Sequence, residues 1–192
     1  METNFYEIAK LKSFNARKAA LAAYIKNNET VPALYVGTYD KYNNGDLSGA
    51  WVNLLACGDV ETFNKVIRVL HVDENYPEFM FQDFCNLPKE LYHESGGIYD
   101  LFEYIEALKN GHDSEALAAY LQHFDIDEFS EFEDRFMGAF DSEVDFTYNL
   151  VEETELLKDA GTLALYFDYE AYARDIFINY YIFVNGFVFR KS

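Results

Sequence analysis

Positive charge is scarce in this chain. Its 192 residues include 15 Lys and Arg against 34 Asp and Glu, a formal charge of −19 and a pI near 4.4. That balance excludes a direct nucleic-acid binder of the ordinary basic-patch kind and argues against docking on anionic lipid. Cysteine is scarce too. Cys57 and Cys85 make neither a disulfide framework nor a C-x-x-C pair, which fits a reducing cytoplasm. No apolar run reaches the roughly 18–20 residues of a spanning helix, and Glu2, Glu7 and Lys10 interrupt any secretory h-region. Low-complexity linkers and internal repeats are missing as well. Aromatic residues are plentiful instead. Sixteen Tyr and 18 Phe in a chain that is 50% apolar argue against charge-driven disorder and can supply a sizeable core. The expectation is a folded, soluble, strongly acidic cytoplasmic protein.

The acid is unevenly spread. Residues 1–30 carry Lys10, Lys12, Arg17, Lys18 and Lys26 against Glu2, Glu7 and Glu29, so this stretch is net positive. Residues 125–155 are the opposite extreme: Asp125, Asp127, Glu128, Glu131, Glu133, Asp134, Asp141, Glu143, Asp145, Glu152, Glu153 and Glu155 face a single cation, Arg135. Blocks of like charge are often solvated tails. Here, however, Ile126, Phe129, Phe132, Phe136, Phe140, Val144, Phe146, Leu150 and Val151 are interleaved with the acids, which implies a folded element with carboxylates on its outer face. Duplex DNA carries about one charge per 1.7 Å, so nineteen charges correspond to roughly 32 Å of duplex. A compact chain of this length has a diameter of roughly 40 Å. The charge densities are of the same order, but imitating a duplex needs an elongated or one-sided display.

Pattern and propensity give the organisation. A helix is expected from Leu11 to Ile25, ended by Asn27-Asn28-Glu29, with Pro32 resetting the chain. Ala33–Thr38 reads as a strand, Tyr39–Gly49 as a Gly/Asn-rich loop, and Ala50–Leu54 as a second strand. Asp59 is placed to cap a helix whose stripe is Val60, Phe63, Ile67 and Leu70. Glu78–Cys85 reads as a third strand. Residues 31–88 thus form a first α+β domain behind an N-terminal helical extension, residues 1–30. Residues 89–124 read as helical, with helices at Asp100–Asn110 and at Glu115–Phe124, the second capped by Ser114. Residues 125–192 form a second α+β domain: a short helix, a strand near Phe136–Phe140, helices at Ser142–Lys158 and Tyr169–Asp175, and a hairpin of Tyr180–Val184 with Phe187–Arg190 around Asn185-Gly186.

Enzyme chemistry finds little support. G-x-x-x-x-G-K-[ST], G-x-S-x-G and H-E-x-x-H are absent, and Gly96-Gly97 reads as a turn. His71, His93, His112 and His123 are too scattered for a metal site. Asp141, Glu143, Asp145 and Glu152 fall on positions one, three, five and twelve of a calcium loop, but Phe146 replaces the required Gly. The favoured reading is acids at a helix start. Paired carboxylates for glycoside hydrolysis cannot be singled out among so many. Tyr172-Ala173-Arg174-Asp175 reads as an internal ion pair or cap, with direct partner contact as the alternative.

Several segments together resemble the ArdA antirestriction family: Leu34–Gly45 with Leu47–Trp51, Phe81–Phe84, Phe136–Phe140 and Phe167–Asp175, in order over about residues 31–192. The resemblance implies an elongated α+β protein made of a small antiparallel-sheet unit, a central helical unit and a second α+β unit with a C-terminal hairpin. It also implies a homodimer, without enzymatic activity or cofactor, that imitates B-form DNA and occupies the DNA groove of type I restriction-modification enzymes. The twelve acids of residues 125–155 are the expected partner-binding face. An acidic module for other basic DNA-binding proteins shares the same electrostatics and stays open, as does a calcium- or acid-dependent enzyme. Residues 1–30 depart from the family pattern.

Overall fold

The computed structural model describes residues 3–191. The chain divides into two compact units between His112 and Asp113. Each has its own small antiparallel sheet of three strands.

The helix expected over Leu11–Ile25 is shorter than that, and another short helix precedes it. Helix α1 spans Phe5–Ala9 and α2 spans Phe14–Ala20. Ser13 causes the break: it is extended, and its hydroxyl accepts the Ala16 amide, so it starts a new helix instead of continuing the old one. A 3-10 turn at Ala22–Tyr24 follows. Strand β1 (Ala33–Thr38) is central, and its almost fully buried run suits a strand covered on both faces. Helix α3 (Tyr39–Asn43) occupies the start of the expected loop because Thr38 caps it. Strand β2 (Ala50–Asn53) pairs with β1 in the register Leu34↔Val52. Helix α4 (Leu54–Cys57) follows. Helix α5 (Val60–Leu70) is capped by Asp59, whose carboxylate accepts the Thr62 amide at 2.7 Å, and it buries Phe63, Val66, Ile67, Val69 and Leu70. Strand β3 (Phe79–Cys85) completes the order β2-β1-β3. Helix α6 (Ile98–Lys109) buries Leu101, Phe102, Tyr104 and Ile105. Gly111, at φ 92°, ends it in the left-handed conformation that costs glycine least.

The second unit opens with α7 (Ser114–Leu121). Its cap is Asp113, not Ser114: the Asp113 carboxylate accepts the amides of Glu115 and Ala116. A 3-10 turn at Ile126–Glu131 leads into α8 (Phe132–Arg135) and strand β4 (Phe136–Ala139). Helix α9 runs over Glu143–Glu153 with Ser142 as its cap, and α10 over Tyr169–Asn179 with Asp168 as its cap. Strands β5 (Tyr181–Val184) and β6 (Phe187–Arg190) form the expected hairpin. Its turn places Asn185 at φ 51° and Gly186 at φ 88°, as a two-residue loop between twisted strands requires.

The sheet order β4-β6-β5 makes β6 the middle strand, and successive residues on it face opposite layers. Phe189 enters an aromatic layer with Tyr120, Phe124, Phe132 and Phe136. Val188 enters the other layer, with Phe146 of α9 and Ile176 and Phe177 of α10. The unit is thus a sheet between two helical layers. Tyr120 gives its hydroxyl hydrogen to the Glu128 carbonyl at 2.8 Å, and burial pushes its pKa up to about 12. Among the described residues, no helix is long and apolar enough to cross a membrane.

Candidate functional site

All twelve acids singled out in residues 125–155 lie in the second unit. Eleven are exposed and Glu128 is half-buried. The apolar residues between them explain this. Phe129 and Phe132 point into the aromatic layer, while Phe146 and Val151 anchor α9 to the sheet, so the intervening polar positions face water.

The acids are not equivalent. Glu128 and Glu131 fold around Arg135, whose guanidinium bonds Glu128 Oε1 at 2.8 Å and Glu131 Oε2 at 2.7 and 2.9 Å. It also donates to the Lys191 carbonyl at 3.2 Å and lies 4.6 Å from the Phe124 ring centroid. Burial works against the Arg135 charge, but the Glu131 hydrogen bonds and the neighbouring acids outweigh it and hold its pKa above the ordinary value. These two glutamates therefore serve the fold by satisfying a buried cation. Glu155 pairs with Lys158 on the surface.

Asp141, Glu143 and Asp145 sit at the start of α9, and Asp145 also accepts the Asp141 amide at 3.2 Å. Negative charge there is favoured by the helix dipole. Asp127, Glu133 and Asp134 occupy the first turns of the 3-10 segment and of α8, and Asp125 precedes them. Glu152 and Glu153 stand apart. They occupy the last turn of α9, which holds no basic residue, and the dipole opposes carboxylates at that end. Local stability does not account for their charge.

The helix also settles the calcium template. Glu143, Asp145 and Glu152 all lie on α9, where seven residues separate Asp145 from Glu152 by about 10 Å of rise. They cannot converge on one ion. Among the described residues, no group of three or more His, Cys, Asp and Glu is arranged to hold a metal. His71 is fully buried in the first unit; burial and then the Lys41 charge lower its pKa to about 4. Cys57 is a core thiol whose pKa is pushed up to about 12 by burial and the Asp59 charge, so it is protonated and poorly nucleophilic.

The Tyr172–Asp175 string departs from its expected role. Ala173 is buried, but Arg174 and Asp175 are exposed on α10, and the cap of that helix is Asp168, which accepts the Ala171 amide at 2.9 Å. The expected internal ion pair is not formed, because consecutive helical positions point about 100° apart and neither faces the sheet. Tyr172 and Asp175 instead line a surface groove with Arg190. Sequence reasoning also missed an apolar exposure. Leu163, Leu165 and Tyr166, on the 3-10 turn Gly161–Tyr166, are 72%, 84% and 83% exposed.

Comparison with known proteins adds one match. The family model described as antirestriction protein (ArdA) covers residues 34–189, which include nearly all of both sheets and all twelve acids of residues 125–155. No curated protein sequence matches the chain.

Proposed function

The chain belongs to the ArdA antirestriction family, and from that premise we propose that it acts as a decoy for B-form DNA, occupying the DNA-binding groove of type I restriction-modification enzymes. Such a groove is lined with Lys and Arg that neutralise phosphates. Carboxylates fixed on folded elements meet the same cations through charge-assisted hydrogen bonds and keep DNA out. No bond is made or broken, and no cofactor takes part. Phosphate-type contacts carry no sequence information, so enzymes with different recognition sequences are blocked alike. The setting is the cytoplasm, where those enzymes meet DNA.

The observation that carries this reading is the surplus of exposed carboxylate on the second unit, above all Glu152 and Glu153, held at a helix end that disfavours them. Asp125, Asp127, Asp134, Asp141, Glu143 and Asp145 extend the binding face. Glu128, Glu131 and Glu155 contribute less, since each already has a cation.

The working form is a homodimer, which lengthens the negative face. Copies that each carry −19 repel, so they approach through an uncharged surface. Leu163, Leu165 and Tyr166 supply one, and a second copy is its occupant.

The test is displacement of a DNA duplex from a type I methyltransferase core by increasing amounts of the protein. Competitive release, equal for two enzymes of different sequence specificity, is expected. Retention of DNA at saturating protein, together with recovery of histone-like proteins in a pull-down, would replace this reading with that of a general acidic module.

A further inference from the structure

We propose that residues 3–26 are an integral strap of the first unit, which completes the end of α5 and closes the outer edge of β2. The family match begins at residue 34, so nothing in it accounts for this segment. Three attachments do.

The first is Arg17 of α2, which is 2% exposed. Its Nε and Nη2 donate to the Leu70 carbonyl at 3.1 and 3.0 Å, its Nη1 donates to the Leu11 carbonyl at 3.0 Å, and Nη2 also pairs with Asp73. Leu70 is the last residue of α5, where carbonyls lack donors within the helix. A cation is favoured at that end as well. Arg17 thus supplies from the strap the cap that α5 does not make for itself. A buried guanidinium is tolerated only where its donors are met, and here four acceptor contacts meet them.

The second attachment is the cluster that Asp73 shares with the sheet. Lys41 Nζ lies 2.9 Å from Asp73 Oδ2, 3.3 Å from Glu74 Oε1 and 3.0 Å from His71 Nδ1. Thr38, at the end of β1, donates its hydroxyl hydrogen to Glu74 at 2.7 Å. Phe14 of α2 covers the His71 ring, with centroids 5.4 Å apart. Two cations and two carboxylates balance around a neutral imidazole. Removing Arg17 leaves that cluster one positive charge short and opens it from the strap side.

The third attachment is at the sheet. Ile25 pairs with Val52 of β2 as an antiparallel bridge, and the Lys26 amide donates to the Trp51 carbonyl at 2.9 Å. Exposed edges invite pairing with other chains, and this bridge covers the outer side of β2. The strap also closes on itself: Tyr24 Oη donates to Thr3 Oγ1 at 3.1 Å, the rings of Phe5 and Tyr24 are 5.8 Å apart, and Leu21 is fully buried.

Amide hydrogen exchange on the full-length chain tests this. In the wild type, amides of residues 14–26 should be protected to the same order as those of β1. Arg17→Met keeps most of the stem and loses every donor. It should lower protection at least tenfold in residues 5–26 and in the last turn of α5, since hydrogen bonds to a charged group are the strong ones, while β4, β5 and β6 exchange as before. Arg17→Lys should recover part of the loss. Exchange of residues 5–26 at the rate of an unstructured peptide in the wild type would overturn the proposal, and that measurement stands even if Arg17→Met does not fold. Unchanged protection in a folded Arg17→Met protein would overturn it equally.

Discussion

Reversing Glu152 and Glu153 to lysine separates the proposed use of the acidic face from its role in folding, because the two readouts should move in opposite directions. Both side chains are exposed, in the last turn of α9. Each exposed carboxylate–cation contact contributes about 0.2–1 kcal/mol, and reversal replaces attraction by a repulsion of similar size. The double variant should therefore lose about 1–4 kcal/mol of binding to the enzyme groove, roughly 5- to 1,000-fold in affinity. For the fold the sign is opposite. Cations at a helix C-terminus stabilise by about 0.3–1 kcal/mol each, and a chain of this size gains about 2–4 °C per kcal/mol. The assay pairs thermal unfolding with displacement of duplex from a type I methyltransferase core. Weaker displacement by a protein that melts a few degrees higher is the expected result. Undiminished displacement by the well-folded variant would refute the reasoning.

Other consequences follow from the packing and the charges. His71 is neutral in the folded state down to about pH 4, against an ordinary 6.5. The unfolded chain therefore takes up a proton first, and stability should fall as pH drops from about 6.5 to 4, by about 3 kcal/mol in all; in a His71→Gln chain, unfolding titrations across this window should show that slope flattened. Sedimentation should find two subunits at micromolar concentration, and Leu165→Asp with Tyr166→Asp should give folded monomers whose melting temperature no longer depends on protein concentration, since both side chains are exposed in the single chain. A wild-type monomer would count against the dimer. Phe189→Ala removes the ring that joins Tyr120, Phe124, Phe132 and Phe136 and should cost about 3–5 kcal/mol by chemical denaturation.

What could be read along the chain was what short-range chemistry decides. Strands β1 and β3, the α5 stripe behind Asp59 and the Asn185-Gly186 hairpin each carry their cause within a few residues, and all stand as expected to within a residue or so. The N-terminal helix is shorter than expected for a reason equally local but ambiguous: Ser13 can sit inside a helix or start one, and the buried Arg17 favours the start by tying α2 to α5. The same ambiguity moved the α7 cap from Ser114 to Asp113. In the candidate site, residue type and exposure were legible from the spacing of Phe129, Phe132 and Phe146. Which acids are already neutralised was not, since the Arg135 cluster depends on the chain returning after β6 to place the Lys191 carbonyl beside it. The Lys41–His71–Asp73 cluster is likewise invisible in sequence, because Lys41 comes from α3 and its partners from the turn after α5, some 30 residues along the chain.

The most direct measurement is the affinity of the protein for a type I methyltransferase core as salt rises from 50 to 200 mM. A contact made of exposed carboxylates against a cationic groove should weaken steadily, by about tenfold or more over that range. An affinity that holds constant across it would contradict a decoy built from charge.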